Sequence, residues 1–280
     1  LIKLLKGDCL QLMREIPDNS IDMILCDPPY QITDCKWDIV IPFEKLWAQY
    51  NRIIKQNSPV LLFCNQPFTT DVITSNKKDY KYNWYWIKNN ATGFAFAKYQ
   101  PMRCLEDICV FYKKMPTYHP PGLQAIHAPN KKNDTGKEWV YKKEHFLKAF
   151  VQKTTGYPRN VLFFDQDSEV ISNADRLHST QKPVHLLEFL IKTYTDYGQV
   201  VLDNCMGSGS TGVACINTGR DFIGMEIEDD AFNIASDRIK ETELLASQNL
   251  FNIREINGDG NMGGGTSRGP FLDEGGINGT

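Results

Sequence analysis

Hydrophobic positions fall into short blocks separated by polar turns, and the blocks alternate between two periods. Ile21 to Asp27 is an apolar run ending at a proline pair, which predicts a buried strand. Phe43, Leu46, Trp47, Tyr50 and Ile54 recur at helical spacing, which predicts a helix over Phe43 to Lys55. Ser58 to Cys64 reads as a second short strand, and Pro67 to Ser75 as a short helix with proline in its first turn. Tyr82 to Lys88 and Asp107 to Tyr112, rich in aromatic and β-branched residues, read as two more strands. Lys113 to Arg159 has weak periodicity and scattered Pro and Gly, which predicts an insertion or small subdomain outside the core. Pro183 to Tyr194 is amphipathic, with Val184, Leu187, Leu190 and Ile191 on one side. Val200 to Asp203 (strand), Gly207 to Gly212 (glycine loop), Thr211 to Thr218 (helix) and Asp221 to Ile227 (strand) follow. Asp229 to Leu245 is a further helix, acidic at its start as the helix dipole favours. Strands alternating with helices imply an α/β fold with a mostly parallel sheet covered on both faces.

Composition narrows the class. The chain has 280 residues, 41% hydrophobic and 23% charged, which excludes a wholly disordered protein and suits one large domain with an insertion. The expected domain runs over residues 1–257, with the insertion at about 113–160. Residues 258–280 hold nine glycines, too little apolar surface to order themselves, and read as a flexible tail or a cloning remnant. No run of about 18 apolar residues is present, so no membrane-spanning helix is expected. Leu1 to Asp8 lacks an apolar signal region, which argues against secretion, and Leu1 in place of Met points to trimming of the first residues. The eight cysteines form no C-x-x-C pair and read as free thiols in a reducing cytosol. Only His119 and His127 come near one another in a loop-like stretch, so no metal site is expected.

Charge is segregated. The net charge is -3, but residues 77–160 carry 16 Lys/Arg against 6 Asp/Glu, a local +10, and the rest of the chain carries 15 against 28, or -13. A local basic surface is what phosphate neutralisation requires. A solvated lysine-rich insertion would show the same pattern, so charge alone leaves both readings open.

The glycine loop is the first chemical signal. Gly207, Gly209 and Gly212 satisfy G-x-G-x-x-G between a strand and a helix, a geometry that brings backbone close to a ligand and aims helix N–H groups at it. Glu226 ends the next strand, 19 residues after Gly207, where a carboxylate can accept from ribose hydroxyls. No lysine follows the third glycine, so this is not a phosphate-binding P-loop. The loop points to an adenosine-containing cofactor and leaves nicotinamide and S-adenosylmethionine both open.

Cys26-Asp27-Pro28-Pro29-Tyr30 chooses between them. It closes a hydrophobic strand, at the edge where open α/β sheets bind ligands. The prolines hold the backbone extended and leave carbonyls without competing N–H groups. Asp27 and the Pro28 carbonyl can accept from an exocyclic amine, and Tyr30 offers a face for a planar base. Such an amine is a poor nucleophile, and two acceptors favour the positive charge that develops on its nitrogen during methyl transfer. A hydride-transfer enzyme has no use for this arrangement. Read alone, the tetrapeptide could also be a strand-to-turn punctuation.

D-P-P-Y at 27–30 together with D-N-C-M-G-S-G-S-T-G at 203–212 resembles the amino-group DNA methyltransferases, in the β-class order with the catalytic motif first. G-D-C-L at 7–10, W-D at 37–38, Q-P-F at 66–68, H-S-T-Q-K-P at 178–183 and F-I-G-M-E at 222–226 match as well, so the resemblance spans about residues 3–245. It implies a Rossmann-like methyltransferase sheet in permuted motif order, S-adenosylmethionine as methyl donor, and the basic insertion as target-recognition region. By motif position, Asp203, Met206, Gly207, Ser208 and Gly209 cradle the methionine part, Glu226 binds the ribose, Asp8 and Cys9 meet the adenine, and Thr180 and Lys182 hold the methionine carboxylate. Asp27, Pro28, Pro29 and Tyr30 are the expected catalytic set. Asn204 and Cys205 replace the usual Pro and Phe, removing an aromatic that packs on the cofactor, and Ser179 replaces a Pro. Asp at the head of the tetrapeptide resembles the adenine enzymes, whereas cytosine-N4 enzymes usually carry Ser.

The resemblance therefore implies a site-specific adenine-N6 methyltransferase acting on a base flipped from double-stranded DNA. It sits in the cytoplasm of a bacterial or phage-infected cell, with a homodimer and a cognate restriction endonuclease as candidate partners and no membrane. Lys131, Lys132, Lys137, Lys142, Lys143, Lys148, Lys153 and Arg159 are the expected phosphate contacts, and Trp139 and Tyr141 pack the subdomain or fill the space the base leaves. A cytosine-N4 enzyme, an RNA or protein-amide methyltransferase, a nicotinamide oxidoreductase and a non-catalytic DNA-binding relative are the rival readings.

Overall fold

Successive strand residues point to opposite faces, and the core divides accordingly. Met23, Leu25, Leu61 and Phe63 enter one hydrophobic cluster, while Ile24, Cys26, Leu62 and Cys64 enter another across the sheet. A sheet apolar on both faces must be covered on both, which is why these strands read as continuous apolar runs. The computed structural model describes residues 1–31, 38–132, 150–164 and 181–258. Leu1–Glu243 is one compact unit, and Leu244–Thr280 is a second.

The strands are β1 (Ile2–Lys6), β2 (Met23–Cys26), β3 (Val60–Cys64), β4 (Tyr80–Thr92), β5 (Arg103–Phe111), β6 (Gln124–Lys132), β7 (Phe150–Thr155), β8 (Val161–Phe163), β9 (Val200–Asp203) and β10 (Asp221–Glu226). The helices are α1 (Cys9–Leu12), α2 (Phe43–Ile53), α3 (Phe68–Ser75), α4 (Val184–Tyr194), α5 (Ser210–Thr218) and α6 (Asp229–Gly258). Among the described residues the main sheet has eight strands in the order β1-β10-β9-β2-β3-β5-β4-β8. β1, β10, β9, β2 and β3 run parallel; β5 is antiparallel to both β3 and β4, and β8 runs parallel to β4.

One face is covered by α4 and α5 together with Ala235 and Ile239 of α6, whose apolar residues join Trp84, Trp86 and Ile108. The other is covered by α2 and α3, with Leu46, Trp47, Tyr50, Phe68 and Val72 against Phe111 and Leu202.

The sheet is mostly parallel, as expected: among the described residues seven of its eight strands share one direction, and only β5, which turns back on β4 as a hairpin, runs against them. Both strands outrun their expected spans of Tyr82–Lys88 and Asp107–Tyr112. β1 and β8 are additions at or near the sheet edges: β1 is five residues at the chain start, and β8 is three residues. α6 continues past the expected Leu245 to Gly258. Within Lys113 to Arg159, β6 and β7 form a separate two-stranded antiparallel sheet. Among the described residues no helix is long and apolar enough to cross a membrane.

Candidate functional site

β2 and β9 are adjacent and parallel, so their carboxyl ends deliver Asp27 and Asp203 to the same edge. Cys26 ends β2 inside the core, and the chain leaves it through Asp27, buried Pro28, Pro29 and half-buried Tyr30. The next residue, Gln31, has φ 57°, a left-handed conformation uncommon for a residue with a side chain. Its N–H donates to Oδ1 of the buried Asp38 at 2.7 Å, which fixes the turn. Asp38 is the second residue of the W-D pair, and Trp37 lies outside the described residues.

Both oxygens of Asp27 are engaged. The Tyr30 hydroxyl donates to Oδ1, and the Lys182 ammonium donates to Oδ2. Lys182 Nζ also lies 3.0 Å from Glu106 Oε1 and 5.0 Å from the centre of the Phe63 ring. Glu106 is buried and pairs with Lys88 through its other oxygen. Burial disfavours the Lys182 charge, but Asp27 and Glu106 outweigh it and hold the ammonium above its ordinary value. Burial, then the Asp27 charge, pushes the Tyr30 hydroxyl well up, so it stays a donor. The Tyr30 ring packs at 5.0 Å on Phe68 of the Q-P-F stretch. The result is a carboxylate held by one neutral and one cationic donor beside a half-buried aromatic ring.

The glycine loop is built as its pattern requires. Gly207 (φ 51°) and Gly209 (φ 79°) are left-handed, which favours glycine, and a Cβ on Gly207 would point into open space. Gly212 serves packing: a Cβ there would lie 2.4 Å from Ile239 Cδ1 and 2.9 Å from Phe222 Cε1. Asp203 is buried and accepts from Cys205 N–H at 3.1 Å and Thr211 Oγ1 at 2.6 Å. Glu226 accepts from Gly207 N–H at 2.9 Å, Ile227 N–H at 2.8 Å and Glu228 N–H at 2.9 Å, which clamps the end of β10 to the loop. Ser208 is buried, and Arg238 reaches its carbonyl at 3.3 Å and Ser210 Oγ at 2.8 Å.

The other expected cofactor residues differ in how they are placed. Asp8 is exposed and caps α1, accepting from Gln11 N–H at 2.9 Å through one oxygen. Met206 goes into the core over Gly224, with its N–H on Met225 O and its carbonyl on Gly209 N–H, so it frames the loop. Thr180 lies outside the described residues. Lys182, assigned by motif position to the methionine carboxylate, is committed here to Asp27 and Glu106.

Of the three departures from the family pattern, Ser179 lies outside the described residues, and Asn204 and Cys205 each have new company. The Tyr50 hydroxyl of α2 donates to Asn204 Oδ1 in the core. The Cys205 sulfur accepts from the Asn204 side-chain amide at 3.4 Å; the neighbouring Cys26 and Cys9 thiols and burial raise its own value, while Cys9 is drawn down by Cys205 against the effect of burial.

A family model described as DNA methylase matches residues 21–237, more than half of the chain. The chain belongs to the N6/N4 DNA methylase family. This methylase is 27% identical over 265 residues to DNA adenine methyltransferase YhdJ of Escherichia coli K12, covering 90% of this chain and 87% of that protein. It is 24% identical over 250 residues to the type II methyltransferase M.HpaI of Haemophilus parainfluenzae, covering 85% and 74%. Its fold is shared with the M1.HpyAVI–SAM complex (TM-score 0.58, 22% identity, 85% of this chain and 99% of that one). It is shared also with the cytosine-N4-specific PvuII DNA methyltransferase (TM-score 0.61, 14% identity, 88% and 92%).

Of the methylase's expected phosphate contacts, Lys153 on β7 and Arg159 before β8 are exposed, and Lys131 and Lys132 lie at the end of β6, paired with Val151 and Phe150. Lys137, Lys142, Lys143 and Lys148 lie outside the described residues, as do Trp139 and Tyr141. Glu106 and Lys88 were not singled out by the sequence, Tyr50 was read only as an apolar helix position, and Asp38 entered only as part of the W-D pair. The usable signal for Glu106 was a carboxylate entering an apolar strand, C-L-E-D-I-C-V-F.

Proposed function

We propose that the chain transfers the methyl group of S-adenosylmethionine to the 6-amino group of an adenine flipped out of double-stranded DNA. The observation that carries this reading is the Asp27 carboxylate, fixed by Tyr30 and Lys182 on the same sheet edge as the glycine loop.

The loop fits the cofactor. The open space at Gly207, the left-handed glycines, the clamped Glu226 and the start of α5 form a backbone cradle at a helix N-terminus. Asp203 and the 207–209 backbone would hold the methionine part, Glu226 the ribose hydroxyls, and the free oxygen of Asp8 with the Cys9 backbone the adenine. Thr180 and Lys182 remain the proposed partners of the methionine carboxylate, with Lys182 leaving Asp27 to reach it. When bound, S-adenosylmethionine supplies an electrophilic methyl group.

The chain's own residues prepare the acceptor. Tyr30 offers its ring to the flipped base. Asp27 and the Pro28 carbonyl accept the two N–H bonds of the amine and orient its lone pair away from them. They stabilise positive charge as it develops on the nitrogen, and the departing proton leaves toward Asp27. Pro29 keeps the turn rigid. Asp27 at the head of the tetrapeptide supports adenine, as does the relative named as a DNA adenine methyltransferase. The basic region (Lys131, Lys132, Lys137, Lys142, Lys143, Lys148, Lys153 and Arg159) would hold phosphates within a methyltransferase domain spanning 1–257. The relative named as a type II methyltransferase supports a restriction–modification setting.

Incubation with methyl-labelled S-adenosylmethionine and duplex DNA, then digestion to nucleosides, tests the proposal. Labelled N6-methyldeoxyadenosine, lost in Asp27→Ala, is the expected result. Labelled N4-methyldeoxycytidine would overturn the base choice. No label together with no cofactor binding would leave a non-catalytic DNA-binding relative.

A further inference from the structure

The β4–β5 hairpin overruns the sheet at the candidate site. Cys64, the last residue of β3, pairs with Asp107, so the part of β5 before Asp107 extends past the carboxyl end of β3. Leu105 pairs with Ile87 and Arg103 with Thr92, and beyond them the tip closes through a helical turn at Phe94–Phe96. At the base of this extension Lys88 of β4 pairs with Glu106 of β5, Glu106 with Lys182, and Lys182 with Asp27. A chain of ion pairs therefore ties the hairpin to the D-P-P-Y turn.

The tip leaves apolar surface in water. Phe94 is 82% exposed, Phe96 59% and Tyr99 87%, and Met102 and Leu105 are exposed beside them. Three aromatic rings clustered in a ten-residue turn are not scattered surface residues; a patch of this kind marks a binding surface. Its charge is one-sided. From Tyr80 to Leu105 there is no Asp or Glu, while Lys98 and Arg103 are exposed among the rings. Rings flanked by cations, on a stretch of chain without a carboxylate, suit a polyanion that also presents planar stacking faces. A second copy of the chain fits less well, because a two-fold contact through this tip would set the cations of one tip against those of the other.

We infer that the 93–102 tip is a DNA wedge. Phe94, Phe96 and Tyr99 enter the base stack beside the target and occupy the gap left when the target base turns out, and Lys98 and Arg103 hold the flanking phosphates. The inference rests on the proposed action on duplex DNA. It assigns the gap-filling rings to the sheet's own hairpin, outside the basic 113–160 region.

The test uses the full chain and the triple variant Phe94→Ala, Phe96→Ala, Tyr99→Ala. All three side chains are exposed, so the melting temperature and S-adenosylmethionine affinity should match wild type. Methylation is measured on two duplexes carrying the site mapped with wild type, one intact and one with an abasic site opposite the target. On intact duplex the variant should be slower by about tenfold or more, the equivalent of one lost stacking contact. On the abasic duplex, where extrusion is already cheap, it should come within about twofold of wild type. Equal loss on both duplexes, or no loss on either, would overturn the wedge. So would a shift in sedimentation showing that the variant has lost a dimer wild type forms without DNA. If wild type transfers no label at all, the reaction reading fails separately. The wedge is then judged by duplex affinity and 2-aminopurine fluorescence, and equal behaviour of the two proteins there would end it.

Discussion

Lys182 donates to Asp27 Oδ2 while its ammonium lies 3.0 Å from Oε1 of the buried Glu106. Glu106 is held in turn by Lys88, so two carboxylates and two ammonium groups alternate from the sheet interior to the D-P-P-Y turn. Burial would raise the Glu106 carboxyl, but Lys182 and Lys88 overcome it and keep the group below its ordinary value. Glu106 thus gives Lys182 a second partner, and a lysine with two partners can release Asp27 when the target amine arrives. Glu106→Gln leaves Lys182 wholly on Asp27. We expect kcat for methylation to fall by about 10- to 100-fold, with duplex affinity changed less than about twofold. A variant that loses affinity and melting temperature but keeps kcat would show that Glu106 only supports the fold.

Tyr50 and Asn204 are coupled across the core. Where the family pattern has a proline, this chain buries an amide, and a buried amide oxygen needs a donor. The Tyr50 hydroxyl supplies it. Tyr50→Phe should cost about 1–3 kcal/mol by leaving that oxygen unpaired. The melting temperature should fall by about 2–4 °C for each kcal/mol. Asn204→Ala in the Tyr50→Phe background should cost much less than Asn204→Ala alone, which a double-mutant cycle by denaturant titration measures. Strict additivity would show that the contact carries no energy.

These two relationships also mark what the sequence could and could not disclose. The D-P-P-Y turn and the β9–loop–α5 unit are local: prolines, glycines and apolar periods a few residues apart dictate them, and the structure places them as expected. The direction of β5 was not legible, because an apolar run such as I-C-V-F reads the same whether its neighbour is parallel or antiparallel. The length of β4 was hidden because Lys88 to Thr92 is polar and looks like loop. Glu106, Lys88 and Lys182 meet only once β4, β5 and the segment before α4 are assembled, and the local sequence of none of them names its partner. Tyr50 fell on the apolar side of α2 and was read as packing, although its hydroxyl serves a residue 154 positions away.

Gly212 separates the packing role of the loop from its ligand role. Its missing Cβ would lie 2.4 Å from Ile239 Cδ1, an atom of a fully buried side chain on α6. Gly212→Ala should therefore destabilise by about 1–3 kcal/mol through overpacking. Ile239→Val removes the clashing methyl and should restore a good part of the loss in the double variant, although alone it costs about 0.5–1.5 kcal/mol. Thermal melts of the four proteins decide it. If Ile239→Val gave no relief, the close approach between α5 and α6 would not be the reason for glycine at 212.

In the proposed site, Asp203 should make cofactor binding pH-dependent. Burial pushes its carboxyl up to about 7, the charges of Asp27 and Glu226 add to this, and the Thr211 hydroxyl and Cys205 N–H only partly oppose it. Because the folded value lies above the ordinary 3.8, the folded chain keeps a proton between about pH 4 and 7 that the unfolded chain has lost. By itself this group makes the fold less stable as pH rises through that window, and the cost is fully present above about pH 7. A ligand that brings an ammonium group beside Asp203, as the methionine part of S-adenosylmethionine would in the proposed site, favours the charged carboxylate. Affinity should therefore rise with pH below about 7, approaching tenfold per unit, and level off above it. Calorimetry near pH 6 in buffers of different ionisation enthalpy should detect proton release approaching one per cofactor bound. Asp203→Asn should bind more weakly at high pH and lose both the slope and the proton release. Affinity that stays flat in wild type from about pH 5.5 to 8 would mean that Asp203 does not face the bound ammonium group.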